Sequence, residues 1–178
     1  GLYVSDSTAI NLDINESGDL NGVIKSQRLA YMDKYIKGLN LNINNKNDAI
    51  SGELISDEIR FAPATMKNSR LLIYANDNNI GAGFSYDNET EKVNSGEIYL
   101  RGELLRDNKN SLALKAQMLP SNIYINSEPW SIGNSEIYID SRSVKINDLI
   151  VKNNQQFIRI EGGYSTLEKD KLNIDLDK

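Results

Sequence analysis

Apolar and polar residues alternate along most of this chain, and a period of two is the mark of a β-strand with one buried face. The pattern is clear at Ile10, Leu12 and Ile14, at Leu39, Leu41 and Ile43, and at Ile80, Ala82, Phe84 and Tyr86. It continues through Ile98, Leu100, Gly102 and Leu104, then Leu112, Leu114, Ala116 and Met118. It recurs at Ile137 and Ile139, Val144 and Ile146, Ile158 and Ile160, and Leu172, Ile174 and Leu176.

Turn-forming clusters separate these runs: Glu16-Ser17-Gly18-Asp19, Asn44-Asn45-Lys46-Asn47-Asp48, Asp77-Asn78-Asn79 and Arg106-Asp107-Asn108-Lys109-Asn110. Asn, Asp and Gly tolerate the left-handed backbone angles that hairpins require. The pattern predicts roughly a dozen short strands joined mostly by hairpins, in one all-β domain over 1–178. Its only prolines, Pro63, Pro120 and Pro129, mark no linker and suit loops or strand ends.

One segment competes for a helix. Leu29, Met32, Ile36 and Leu39 fall three or four apart, as on a helix face. The stretch runs straight into alternating Leu39-Asn40-Leu41-Asn42-Ile43 and lacks an N-cap box, so two strands with a turn near Asp33-Lys34 are expected.

Weak repetition is also present. Ile-Tyr pairs stand at Ile73-Tyr74, Ile98-Tyr99, Ile123-Tyr124 and Ile137-Tyr138, and the first three begin 25 residues apart (98 − 73 and 123 − 98). Stacked hairpins of similar length in a solenoid-like sheet would explain the spacing, with isoleucine facing in and tyrosine out.

Composition narrows the chemistry. The 178 residues carry 20 Lys plus Arg against 25 Asp plus Glu, a net charge of −5, so a nucleic-acid backbone would be repelled on average. Cys and His are both absent, which removes thiolate nucleophiles, disulfides, imidazole bases and the usual zinc ligands. The opening Gly1-Leu2-Tyr3-Val4 and the absence of any long apolar run suggest an internal stretch of a longer protein.

Candidate sites fall away one by one. Asp13-Ile14-Asn15-Glu16-Ser17-Gly18 begins like a calcium loop, but Ile24 stands where the bidentate Glu belongs. Gly81-Ala82-Gly83 is not a dinucleotide loop, since Tyr86 occupies the third glycine's place. Asp57-Glu58 reads as a solvated loop rather than a catalytic pair. No catalytic, cofactor-binding or metal-ligating residue is assigned, and a non-enzymatic role is expected.

The stretch from Ser121 to Leu176 carries a family resemblance. It contains Ile123-Tyr124-Ile125-Asn126-Ser127-Glu128-Pro129-Trp130-Ser131-Ile132, Ser135-Glu136-Ile137-Tyr138-Ile139-Asp140, Val144-Lys145-Ile146-Asn147-Asp148-Leu149 and Gln155-Gln156-Phe157-Ile158-Arg159-Ile160-Glu161-Gly162. With the upstream Asn21-Gly22-Val23-Ile24, Ser51-Gly52-Glu53-Leu54 and Ser95-Gly96-Glu97-Ile98, the chain resembles the TamB family of AsmA-like envelope proteins, in its Bacteroidetes form. The resemblance implies a piece of a long periplasmic protein anchored in the inner membrane. Such a parent works with an outer-membrane barrel of the TamA type in phospholipid transport and outer-membrane protein assembly.

The resemblance also implies an elongated, curved, mostly antiparallel sheet forming a trough or solenoid-like roll whose inner face meets phospholipid acyl chains. Candidate lining residues are Ile10, Leu12, Ile14, Leu41, Ile43, Leu54, Ile98, Leu100, Leu112, Leu114, Ile137, Ile139, Ile146, Ile158 and Ile160. Neighbouring β-segments of the parent chain would continue the sheet at its unpaired edges. The competing expectation is a secreted β-sandwich with these residues sealed in its core, binding glycan or a partner protein through the tyrosine-bearing face.

Overall fold

In the computed structural model, which describes residues 1–46, 48–61, 64–106, 111–166 and 171–177, every regular element is a strand and all of them belong to one antiparallel sheet. The strands are β1 (Leu2–Val4), β2 (Ala9–Ile14), β3 (Leu20–Tyr31), β4 (Lys34–Lys46), β5 (Ala49–Phe61), β6 (Ala64–Asn76), β7 (Asn79–Asp87) and β8 (Ser95–Arg106). Then follow β9 (Leu112–Met118), β10 (Ser121–Ile125), β11 (Glu128–Ile132), β12 (Ser135–Ile139), β13 (Ser143–Lys152), β14 (Phe157–Ser165) and β15 (Leu172–Asp177).

The strands outnumber the expected dozen, and several reach 12 or 13 residues. They are long because most of them cross a bend. Between paired rows Ser26↔Leu39 and Arg28↔Lys37, and between Ser56↔Ser69 and Glu58↔Lys67, four residues stand abreast: Gln27, Gly38, Asp57 and Asn68. Gly38 and Asn68 take φ of 61° and 45°, the left-handed geometry of a β-bulge, and all but the glycine are exposed. Because β3, β4, β5 and β6 all carry the extra residue at the same row, register is kept while the sheet creases.

The crease runs on across the sheet. β9 and β10 are two halves of one line broken at Leu119-Pro120, and β11 and β12 are halves of the next, broken at Gly133-Asn134. β13 crosses the crease through a bulge between Ile146 and Leu149, with Asp148 at φ 54°. β1 and β2 break at Ser5–Thr8 and pair with opposite halves of β3. The result is two walls hinged along one line.

The first wall has the order β2-β3-β4-β5-β6-β7-β8-β9-β12-β13-β14, and at a strand spacing of about 4.8 Å it spans roughly 48 Å. The second wall has β1-β3-β4-β5-β6 on one side and β10-β11-β13-β14-β15 on the other. The loop 88–94 occupies the place between them. The Asn88 side chain accepts from Lys67 N–H at 2.7 Å and donates to Thr65 O at 3.0 Å. At the loop's other end Ser127 N–H donates to Val93 O at 2.8 Å, and Asn126 N–H to Asn94 Oδ1 at 3.0 Å.

Four expectations are corrected. The segment carrying Asp57-Glu58 is the middle of β5 and not a loop: Glu58 accepts a hydrogen bond from the Tyr35 hydroxyl on the facing strand. The sandwich does not form, since one continuous sheet with a crease takes the place of two stacked ones. The 25-residue Ile-Tyr spacing leads two strands along from β6 to β8 but only to the direct neighbour from β8 to β10, so it marks no constant hairpin repeat. The turn expected at Asp33-Lys34 lies at Met32-Asp33, with Met32 at φ 55°. Asn47, Pro63 and 107–110 of the turn cluster lie outside the described residues.

Candidate functional site: the aliphatic face of the sheet

Partners in an antiparallel register share a face, so the ladder assigns each side chain to one side of the sheet. On the first wall Ile10, Ile24, Leu41, Leu54, Leu71, Phe84 and Ile98 form one row. Leu12, Gly22, Ile43, Gly52, Ile73, Ala82, Leu100 and Met118 form the next, and Ile14 pairs with Leu20 beside it. Farther along, Ala116, Ile137 and Ile146 share a row, as do Leu114, Ile139 and Val144, with Leu112 one step beyond Leu114 on the same face.

On the second wall Ile123 pairs with Trp130, Ile132 with Val151, Val151 with Ile158, and Leu149 with Ile160. The fifteen residues singled out from the sequence therefore all fall on the apolar side of the sheet, and none is buried.

The bulges keep that side continuous across the crease. On β4 the aliphatic positions are 36 before Gly38 and 39, 41 and 43 after it; on β6 they are 66 before Asn68 and 71 and 73 after it. One residue in a bulge shifts the alternation by one, so each wall presents its aliphatic residues to the same concavity. Leu39 and Ile59, from opposite sides of the crease, are 7% exposed each, while the crease residues Gln27, Asp57 and Asn68 face solvent on the convex side.

Where the walls converge, the lining is small. Ser26, Ser56, Ser69, Ser121 and Ser135 are buried along the crease. Their hydroxyls mostly turn back on the backbone: Ser56 donates to Lys37 O at 2.7 Å, Ser121 to Leu119 O at 2.9 Å and Ser135 to Asn147 O at 2.8 Å. Satisfied in this way, these three add little polarity to the trough floor, whereas the Ser69 hydroxyl is buried without a partner. Tyr86 sits on the same side, and its burial pushes the phenol above its usual value, as a low-dielectric lining does.

Away from the crease the trough stands open. The apolar residues far from the crease keep a large part of their surface exposed. The chain exposes 12265 Å², whereas a compact monomer of its 20.0 kDa mass would expose about 8,700 Å². Ile10, Leu12 and Ile14 are 64–67% exposed, and Ile73 and Ile139 about 40%.

The opposite face carries the polar residues. Tyr35 there lies under Lys37 Nζ at 4.8 Å and Arg28 at 5.1 Å from its ring centroid. Its hydroxyl and the nearby Lys37 hold the Glu58 carboxyl below its ordinary value. Tyr74, Tyr99, Tyr124 and Tyr138 also face out, while their Ile neighbours face in.

Sequence reasoning missed part of the lining: Leu29, Ile36, Ile59, Met66, Trp130, Ile132, Leu149 and Val151 on the second wall. Their signal was a phase break in the alternation, which a period-two template reads as the end of a strand. Among the described residues no group of three or more metal-binding side chains is gathered, and there is no helix long and apolar enough to cross a membrane. No protein-family model, curated protein or solved structure matches the chain.

Proposed function

We propose that this chain is a non-catalytic lipid-carrying segment: the trough receives the acyl chains of a phospholipid, whose headgroup rides at the open rim. The observation that carries the reading is an aliphatic face on both walls, joined across a narrow line of small buried serines and left largely exposed in the folded chain. An acyl chain loses about 0.8 kcal/mol for each methylene left in water, so it needs an apolar path without gaps. A chain of ~15 carbons would gain roughly 12 kcal/mol gross on entering, before the ordering costs that bring net affinity well below this.

The resemblance to TamB-type proteins supplies the setting. The segment would lie in the periplasm, within a parent anchored in the inner membrane and working with an outer-membrane barrel. Adjacent β-segments of that parent would extend the trough at its free edges, where β2 and β15 offer unpaired backbone groups.

The test is to purify the chain from bacterial membranes without detergent and to measure retained lipid by native and denaturing mass spectrometry. Ile73→Asp and Ile139→Asp place a carboxylate on the lining at sites exposed enough to leave the sheet intact. The parent should retain phospholipid, and each folded variant should lose at least tenfold of it. A parent free of lipid, or variants that retain it fully, would overturn the reading.

A further inference from the structure

The polar side of the sheet is not uniformly flat. Across β4 to β8 it sinks into an open depression of about 760 Å³, within the range of small-molecule sites. The cause is local: Gly81 stands between Tyr74 and Arg101 in one cross-strand row, and nothing lies within 4 Å of where its Cβ would be. Its neighbour Gly83, in the row Leu72↔Gly83↔Tyr99, is filled by the Tyr99 ring, whose Cδ1 and Cε1 would sit 3.3 Å from a Cβ there. One glycine is thus covered by an aromatic ring and the other is left as a slot.

The walls of the slot are held in place. Arg101 Nε and Nη2 donate to Gln117 Oε1 at 2.9 and 2.7 Å, which draws the guanidinium toward β9 and away from the gap. The Tyr99 hydroxyl donates to Glu97 at 2.7 Å, pinning the ring across Gly83. On the far rim Arg70 forms an ion pair with Glu53 at 2.7 Å, so the rim offers donors and an acceptor with little net charge.

This chemistry selects among ligands. Arg70 is neutralised by Glu53 and two of the Arg101 donors are taken up by Gln117, so neither guanidinium is free to grip an anion in full, and a lipid tail would find charged groups on both sides. A pyranose ring fits both requirements: its axial C–H face needs a flat apolar or aromatic surface, and its equatorial hydroxyls need mixed donors and acceptors around it. Leu72, 42% exposed, and the half-exposed Tyr74 and Tyr99 supply the surface.

We infer that the depression at Gly81 is a subsite for a neutral pyranose oligosaccharide, on the side of the sheet opposite the trough. A chain carrying lipid on one face would thereby hold a glycan on the other, and the two sites are separated by the thickness of the sheet. The inference stands independently of the lipid reading.

The test is a ¹H–¹⁵N NMR titration of the intact chain with neutral glucose-, mannose- and N-acetylglucosamine-based tri- and tetrasaccharides. At least one series should shift the amides of Gly81, Gly83, Tyr99 and Arg101 in a saturable way. Gly81→Val fills the slot and suits a strand, so it should keep the fold and weaken binding at least tenfold. Tyr99→Ala should weaken it comparably. No saturable shift with any sugar, shifts confined to other surfaces, or undiminished binding by folded Gly81→Val would overturn the inference.

Discussion

Gly38→Ala and Gly81→Ala are the same chemical change in the same sheet, yet the crease gives them opposite signs. Gly38 holds φ 61° in the bulge row, and a Cβ there would lie 2.0 Å from Asp57 Oδ2 and 2.3 Å from its Cγ. A left-handed backbone costs a non-glycine residue about 1–2 kcal/mol. Moving the exposed Asp57 carboxylate aside adds a smaller amount, so about 2 kcal/mol is expected in all. Gly81 has an ordinary strand φ and free space, and replacing it removes unfolded-state entropy and supplies strand propensity, a gain of about 0.4–1 kcal/mol. For a chain of this size each kcal/mol moves the midpoint by about 2–4 °C. Thermal and urea unfolding followed by far-UV circular dichroism should therefore show Gly38→Ala melting about 4–8 °C below the parent and Gly81→Ala at or slightly above it. Equal shifts of the two variants, or a Gly38→Ala variant as stable as the parent, would refute the crease geometry.

Two further outcomes follow from the same surfaces. The Ser69 hydroxyl is fully buried with no hydrogen-bond partner, so Ser69→Ala should raise stability by about 1 kcal/mol, whereas Ser56→Ala, which loses the bond to Lys37 O, should lower it by about as much; urea midpoints separate the two. Tyr35→Phe should return the Glu58 carboxyl toward its ordinary value of 4.5, read by carboxyl ¹³C NMR titration. Because that carboxyl is held low in the folded chain, its contribution to stability is present above pH 4.5 and is lost as pH falls through the folded value; the variant's acid unfolding should lack this component, and an unmoved Glu58 titration would refute the assignment.

Much of the architecture is local and was legible in the residues. Strand character, the inward Ile and outward Tyr of each Ile-Tyr pair, and the turn after Tyr31 all follow from period-two patterning and turn chemistry, which act within a few residues. The helical spacing of Leu29, Met32, Ile36 and Leu39 also has a local origin of another kind. Leu29, Ile36 and Leu39 all face the trough, but Ile36 and Leu39 stand on opposite sides of the crease, and Met32 sits in the turn. Their spacing of three and seven is the trace of a bulge.

The crease itself was not legible, because it exists only when four separate strands place their irregular residues abreast, a condition set by register between residues far apart in the chain. The same holds for β9 leaving β10 to pair with β12, which lets one broken line of chain serve both walls. Openness was likewise beyond the pattern: an alternating strand has the same sequence whether its apolar side is sealed beneath a second sheet or left bare. The sequence by itself determined that there would be one apolar side and one polar side. Only the tertiary structure decided that the strands join in one creased, curved sheet whose apolar side stays largely exposed among the described residues, since that depends on how the walls meet and not on any strand alone.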